Sequence, residues 1–361
     1  MKMRKIVCSF MISVVCFVTA ISGVSATSYD TSKINAAYSK VVEYYKNNNN
    51  LNNADKILAV ESLGLEAESN QFDTSSADLS STSLSKKIVT EVLLGVDPTE
   101  DKETLESQID ENGNVEGSWG TSSDVWTLYA LYVTSSEKTN LIANKLNDEL
   151  AASSVCGYEW GGTYYADYDT TGWVIEGLAV VNKEKYVTTI NKAIDYIKNN
   201  TTMTTTGWVT ADNVDTQSQV LEGMFAYDTN SLLNDSYTIH PIDCLLNTQL
   251  SDGSFPSGYN AEYTTAEVAK TLGTYKNGSV FEKAKKAYDK MMNPEQPDNT
   301  KPAQPTDTKK DSQSTNKVET TNQKTTSVKT GDETNVVIFV SLSMVSGGLF
   351  LVLRKEYERV H

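Results

Sequence analysis

Four segments along the middle of this chain are variations on one pattern, and their regular interval restricts the fold more than any single residue does. The runs Trp126-Thr127-Leu128-Tyr129-Ala130-Leu131, Trp173-Val174-Ile175-Glu176-Gly177-Leu178, Gln219-Val220-Leu221-Glu222-Gly223-Met224 and Glu267-Val268-Ala269-Lys270-Thr271-Leu272 begin 47, 46 and 48 residues apart. Ahead of the last three lie a glycine-bearing loop and a short polar stretch: Gly161-Gly162 with Asp169-Thr170-Thr171, Gly207-Trp208 with Asp215-Thr216, and Gly253-Ser254-Phe255 with Thr264-Thr265. The first has the shorter Gly117-Ser118-Trp119-Gly120 followed by Asp124. A unit of this size cannot bury its apolar face alone, so the copies must pack on one another in a solenoid or a closed ring.

Read at the helical period, the chain between 27 and 292 gives helices throughout and no clear strand alternation. One set is apolar on nearly every face and belongs in a core: 55–65, 84–96, 122–133, 170–181, 216–227 and 265–275. The alternate set is charged on one side and belongs outside: 33–47, 100–109, 137–150, 184–199, 239–249 and 279–292. Six buried helices alternating with six surface helices predict an all-α fold, an (α/α)6 toroid of inner and outer helices.

The two ends carry addresses. Residues 1–26 combine basic Lys2, Arg4 and Lys5, an apolar stretch and the small-residue exit Val24-Ser25-Ala26, the order of a secretory signal peptide. Residues 293–328 turn to Pro, Thr, Gln, Ser and Lys, a composition that stays extended as a disordered stalk. In 329–361, Thr330-Gly331-Asp332 precedes an apolar run over 336–353 and a basic tail with Arg354, Lys355 and Arg359. This order resembles the sortase sorting signal of Gram-positive surface proteins, with Ser327 and Val328 standing where the common motif has Leu and Pro. The resemblance implies cleavage between Thr330 and Gly331, with sortase and peptidoglycan as partners and the cell wall as destination. The alternative is a retained transmembrane helix over 336–353, since about 18 apolar residues just span a bilayer.

The net charge of −16 argues against nucleic acid and against an anionic membrane surface as partners. After signal removal only Cys156 and Cys244 remain, too few for a disulfide framework. No Walker loop, dinucleotide fingerprint or nucleophile triad is visible, and no cofactor is implied.

Gln249-Leu250-Ser251-Asp252-Gly253-Ser254-Phe255 resembles the repeat of the terpenoid cyclase and protein prenyltransferase superfamily. Asp167-Tyr168-Asp169-Thr170-Thr171-Gly172-Trp173 is similar to the capped inner helices of that superfamily, cobalamin-carrier toroids included. The resemblance spans roughly residues 50–290 and implies the toroid fold rather than an activity, because one fold hosts unrelated functions.

Each chemical candidate has a structural competitor. Asp167 and Asp169 resemble the acid motif of class II terpene cyclases, yet Asp169 or Thr170 also suits a helix N-cap, and Asp215-Thr216 repeats the arrangement. His240 and Cys244 share a helix face but are two ligands only, short of a zinc site. Glu176 and Glu222 recur at equivalent positions, which suits either a glycosidase-like carboxylate pair or helix packing. Trp119, Trp160, Tyr164, Tyr165, Trp208 and Phe255 cluster in the loops before inner helices and suit a ligand-binding rim. The expectation is a secreted, surface-anchored toroid that binds a small molecule, glycan or protein without catalysis. An extracellular polysaccharide-active enzyme is the alternative, and a terpenoid-cyclase-like catalyst using Asp167 and Asp169 a more distant one.

Overall fold

The computed structural model describes residues 29–68, 80–210 and 213–294. The chain separates into two units, Met1–Asp298 and Asn299–His361, and every described residue belongs to the first. The signal segment, the stalk and the sorting signal with Thr330 and Gly331 lie outside the described residues.

The unit is mostly helical. It runs through α1 (Ser32–Asn47), α2 (Ala54–Ser62), α3 (Ser81–Leu93), α4 (Thr99–Ser107), α5 (Thr121–Val133) and α6 (Thr139–Ser153). A hairpin of β1 (Gly157–Trp160) and β2 (Thr163–Ala166) follows, then α7 (Tyr168–Asn200) and the single turn α8 (Met203–Thr206). The last elements are α9 (Val214–Asn234), α10 (Pro241–Asn247), α11 (Ala261–Asn277) and α12 (Val280–Met292).

The helices expected at 170–181 and 184–199 are both present, joined end to end in α7. The backbone leaves the helical region at Asn182 (φ −166°, ψ 88°). Its side chain then accepts from Lys185 N at 2.9 Å, which caps a new helical start. Asp228 repeats the break in α9 (φ −158°, ψ 91°) and accepts from Ser231 N at 3.1 Å.

The helices expected in the core pack on one another in chain order. α2 contacts α3, α3 contacts α5, α5 contacts α7, α7 contacts α9, α9 contacts α11, and α11 packs back on α2. They bury Leu58, Ile88, Leu128, Val174, Leu221 and Val268 completely. α4 lies across the neighbouring pair α3 and α5, and α6 across α5 and α7, while α10 packs on α1, α8 and α9. α12 buries Val280, Phe281, Ala284 and Tyr288 along one stripe, and it touches α2, α3, α5 and α11 together. Phe281 lies flat on Tyr129 with ring centroids 3.6 Å apart and an interplanar angle of 5°, filling the space between these helices.

Two glycines set the closest approach. A Cβ on Gly223 would stand 2.3 Å from the Gly172 carbonyl oxygen, and one on Gly172 would stand 2.4 Å from the Gln219 carbonyl oxygen. Only hydrogen fits at either place, so α7 and α9 meet backbone to backbone. Trp126 and Leu221 are buried as the repeat predicts. Trp173 is half-buried instead, standing edge-on to Trp126 at 5.8 Å near the start of α7.

Candidate functional site at the starts of the repeat helices

The loops that enter α5, α7, α9 and α11 gather the chemistry. Their N-cap residues are Gly120, Asp167, Asn213 and Asn260, which precede the repeated segments by 6, 6, 6 and 7 residues. Asp167 accepts from Thr170 N at 3.1 Å and from the Thr170 hydroxyl at 2.7 Å, and Asn260 accepts from Tyr263 N at 3.1 Å. The cap of α7 is therefore Asp167, not Asp169 or Thr170, because the first helical residue is Tyr168. Asp167 is committed to one orphan amide and one hydroxyl of this helix start.

Asp169 and Asp215 both stand at the second helical residue, of α7 and α9 respectively. Helix starts favour carboxylates there. Asp215 is buried and accepts a hydrogen bond from the Tyr259 hydroxyl, which reaches across from the loop before α11. Asp169 is half-buried, and burial with the charge of Asp167 beside it pushes its pKa up to about 7. Among the described residues neither Asp169 nor Asp215 makes a salt bridge. Deeper in, the Gln219 amide donates to Glu267 Oε2 at 3.1 Å and to the Tyr263 hydroxyl at 3.3 Å. Gln219 Oε1, Glu267 Oε1 and Trp173 Nε1 are buried without a hydrogen-bond partner.

One helical turn further, the fourth position of each repeated segment converges on a buried polar network. Tyr129, Glu176, Glu222 and Lys270 are each 1% exposed or less. Glu176 accepts from Ser279 Oγ at 2.7 Å and from the Tyr129 hydroxyl at 3.3 Å. Glu222 accepts from Thr274 Oγ1 at 3.4 Å. The Lys270 ammonium lies 3.0 Å from Glu267 and 3.9 Å from Glu222. Burial pushes Glu176 up to about 7 and Glu222 well above the carboxylate range. Burial acts to lower Lys270, but the charges of Glu267 and Glu222 outweigh it and hold the ammonium above its usual range. Glu176 and Glu222 are tied into the core in this way and do not flank an open cleft. Asp124, another carboxylate at a helix start, is likewise buried, bonded to Lys145 at 2.6 Å and to Ser118 at 2.6 Å.

The aromatic candidates divide. Trp119 is 69% exposed, and Tyr164 and Tyr165 on β2 are also exposed. Tyr165 pairs across the hairpin with Tyr158, their rings 5.6 Å apart and within 18° of parallel. Trp160 ends β1 opposite Thr163. Trp208 is half-buried, its face covered edge-on by Tyr168 at 4.8 Å. Phe255 is fully buried and belongs to the core, with its backbone amide donating to Thr265 Oγ1 at 3.0 Å, so it is no part of a binding rim. Sequence reasoning missed Tyr158 and Tyr259, whose only signal is an aromatic residue in a loop rich in glycine and serine. It also missed Lys270, a charge inside an apolar run at the position where two other copies carry glutamate.

The remaining candidates are structural. His240 caps α10, its Nδ1 accepting from Ile242 N at 3.3 Å, and Cys244 donates to the Thr206 carbonyl at 3.3 Å. Cys156 and Cys244 are both free thiols. Among the described residues no cluster of three or more His, Cys, Asp or Glu could hold a metal ion, and no helix is long and apolar enough to cross a membrane. A cleft of about 300 Å³ is lined by Tyr44, Asn48, Asn50, Lys56 and Glu262, and another of about 360 Å³ lies along 107–110 and 114–116. Neither includes a residue that the sequence singles out.

Compared with family models, curated proteins and solved structures, the chain matches none. Its function rests on the geometry above.

Proposed function

We propose that this chain is an exported (α/α)6 toroid, held at the cell surface through its C-terminal segment, that binds glycan chains without catalysis. The ring reading is supported by the succession of helix contacts that returns from α11 to α2, and by α4 and α6, which each straddle a neighbouring pair. Likeness to the terpenoid cyclase and prenyltransferase toroids is part of the same proposal, resting on the repeat. Export and wall anchoring through Thr330 and Gly331 rest on the sequence of the two ends.

The observation that carries the binding reading is the set of exposed rings beside the helix starts: Trp119 and the parallel Tyr158–Tyr165 pair. Large rings are ordinarily covered by their own protein, and flat exposed ones suit the apolar faces of sugar rings. Incubating the chain with an immobilised panel of bacterial-wall and host glycans tests this. Retention by a defined group of glycans, lost in Trp119→Ala, is expected; uniform absence of retention would overturn it.

A second reading, a polysaccharide-active enzyme, draws on one observation. Burial and the neighbouring charge of Asp167 raise Asp169 to about 7, and glycoside cleavage uses an acid that keeps its proton near neutral pH. Release of reducing ends from a polysaccharide, abolished in Asp169→Asn, would favour it over binding alone.

A further inference from the structure

The first turn of α10 is fastened by a ring that can fasten it only while uncharged. His240 is its N-cap, and the ring Nδ1 accepts from Ile242 N at 3.3 Å. Accepting there requires a bare Nδ1, so the neutral imidazole carries its one proton on Nε2, which is buried. Protonation places a second N–H on Nδ1, opposite the N–H of Ile242, and two donors cannot bond. The event that charges the ring thus removes the cap.

The same ring is a meeting point for the residues that lead into α1. Tyr29 lies against it with centroids 4.4 Å apart, and Tyr237 packs on it at 4.8 Å. The Tyr29 hydroxyl donates to Asp243 Oδ1 at 2.8 Å, and the Lys33 ammonium reaches the same oxygen at 2.9 Å. Lys33, Asp243 and, at the end of α9, Asp235 are the charged groups facing His240, with Asp235 itself bonded to Lys198 of α7. Burial lowers the His240 pKa, against the Leu232 backbone carbonyl, Asp243 and Asp235, which favour the charged ring. Burial acts to raise Asp243, but hydrogen bonds from Lys33 and Tyr29 outweigh it and keep that carboxyl below its ordinary range. Asp243 therefore stays ionised in mild acid, and Tyr29 and Tyr237, both raised by burial, stay neutral there. His240 is the group of this contact that changes charge.

We propose that His240 is an acid-sensitive latch, whose protonation uncaps α10 and releases Tyr29 and Lys33 from it while the rest of the domain stays folded. The folded ring is held below its ordinary value of 6.5, so the latch is fully closed above that value and opens as pH falls through the lower folded one. The sign is opposite to that of Glu176 and Asp169, whose protonation stabilises the fold, so the opening is local rather than global. Acid surroundings thereby expose the N-terminal end of the domain and the first turn of α10. That turn includes Cys244, whose amide donates to the His240 carbonyl at 3.3 Å and whose thiol, in the closed state, donates to the Thr206 carbonyl at 3.3 Å.

The test is the labelling rate of Cys244 in the full chain by a disulfide reagent that stays reactive in mild acid, resolved by peptide mass spectrometry and compared with His240→Asn. Asparagine keeps a capping oxygen and does not titrate. The ratio of wild-type to variant rates cancels the pH dependence of the thiol itself. It is expected to lie near one at about pH 7.5 and to rise at least about five-fold at about pH 5, as local opening of the cap exposes the thiol. A ratio that stays level or falls on acidification would overturn the proposal. Nitrogen NMR of the wild-type ring tests it independently of whether the variant folds. His240 is expected to carry its neutral proton on Nε2 and to titrate below about 6.5. A neutral proton on Nδ1, or titration at or above that value, would overturn the proposal as well.

Discussion

Gly172 and Gly223 face each other across α7 and α9 so closely that a methyl group on Gly223 would stand 2.3 Å from the Gly172 carbonyl oxygen. The contact is backbone against backbone, so no side-chain rotation relieves it. Alanine ordinarily improves a helix, by about 0.5–1 kcal/mol over glycine. Here the clash reverses that sign. Gly223→Ala is expected to destabilise the domain by about 1–3 kcal/mol in chemical denaturation, as overpacking does. Gly177→Ala serves as the control, since its new methyl would meet the end of the Leu128 side chain at 3.0 Å. The control should cost less; equal losses would contradict the close-approach account.

Among the described residues Lys270 is the single fully buried cation, bonded to Glu267 and near Glu222. Removing it leaves Glu222 and Glu267 without their nearest cation. Lys270→Met is expected to lose about 3–5 kcal/mol of stability, and adding Glu267→Gln should restore part of the loss. Additive losses in the double variant would show that the two do not act as a pair.

Asp167 and Asp215 separate capping from other roles. Asp167→Ala should cost about 0.5–2 kcal/mol and Asp167→Asn almost nothing, because asparagine caps equally well. Asp215 is not a cap, and its replacement by Ala should act by releasing the Tyr259 hydroxyl, so Tyr259→Phe should mask most of the Asp215→Ala effect. Thermal melts of these variants check both statements; a full Asp215→Ala loss in the Tyr259→Phe background would contradict the second.

Stability should fall as pH rises across neutrality. Glu176 and Asp169 are raised in the fold to about 7 from ordinary values of 4.5 and 3.8. Between those limits the folded state binds more protons than the unfolded one. Stability is therefore fully present below the ordinary values and is lost as pH rises through the folded ones. The melting temperature is expected to be higher at pH 5 than at pH 8, with the slope reduced in Glu176→Gln. A melting temperature that climbs over this interval would contradict the assignment.

The helices were open to sequence reading for a physical reason, whereas the cap of α7 fell two residues earlier, at Asp167 rather than Asp169. Repeat-equivalent positions meet equivalent neighbours, so Tyr129, Glu176, Glu222 and Lys270 share one depth and one surrounding. The hairpin was harder, because four-residue strands are too short for alternation to register. A local signal existed: Gly161 and Gly162 both take positive φ, 57° and 79°, as a tight hairpin turn demands, between aromatic runs. Which rings face water was not legible. Phe255 and Trp119 occupy comparable loops, yet one is buried and the other exposed, and that difference depends on the helix packed alongside rather than on the local sequence.

Direct titration of the chain with oligosaccharides recovered from a glycan panel tests the binding account most closely. Wild-type chain is expected to show saturable binding. A Tyr158→Ala and Tyr165→Ala double variant should bind at least about ten-fold more weakly, as loss of hot-spot aromatics does, with its melting temperature unchanged. Binding that is absent from the wild type, or equal in the double variant, would contradict the claim that this rim is a glycan-binding surface.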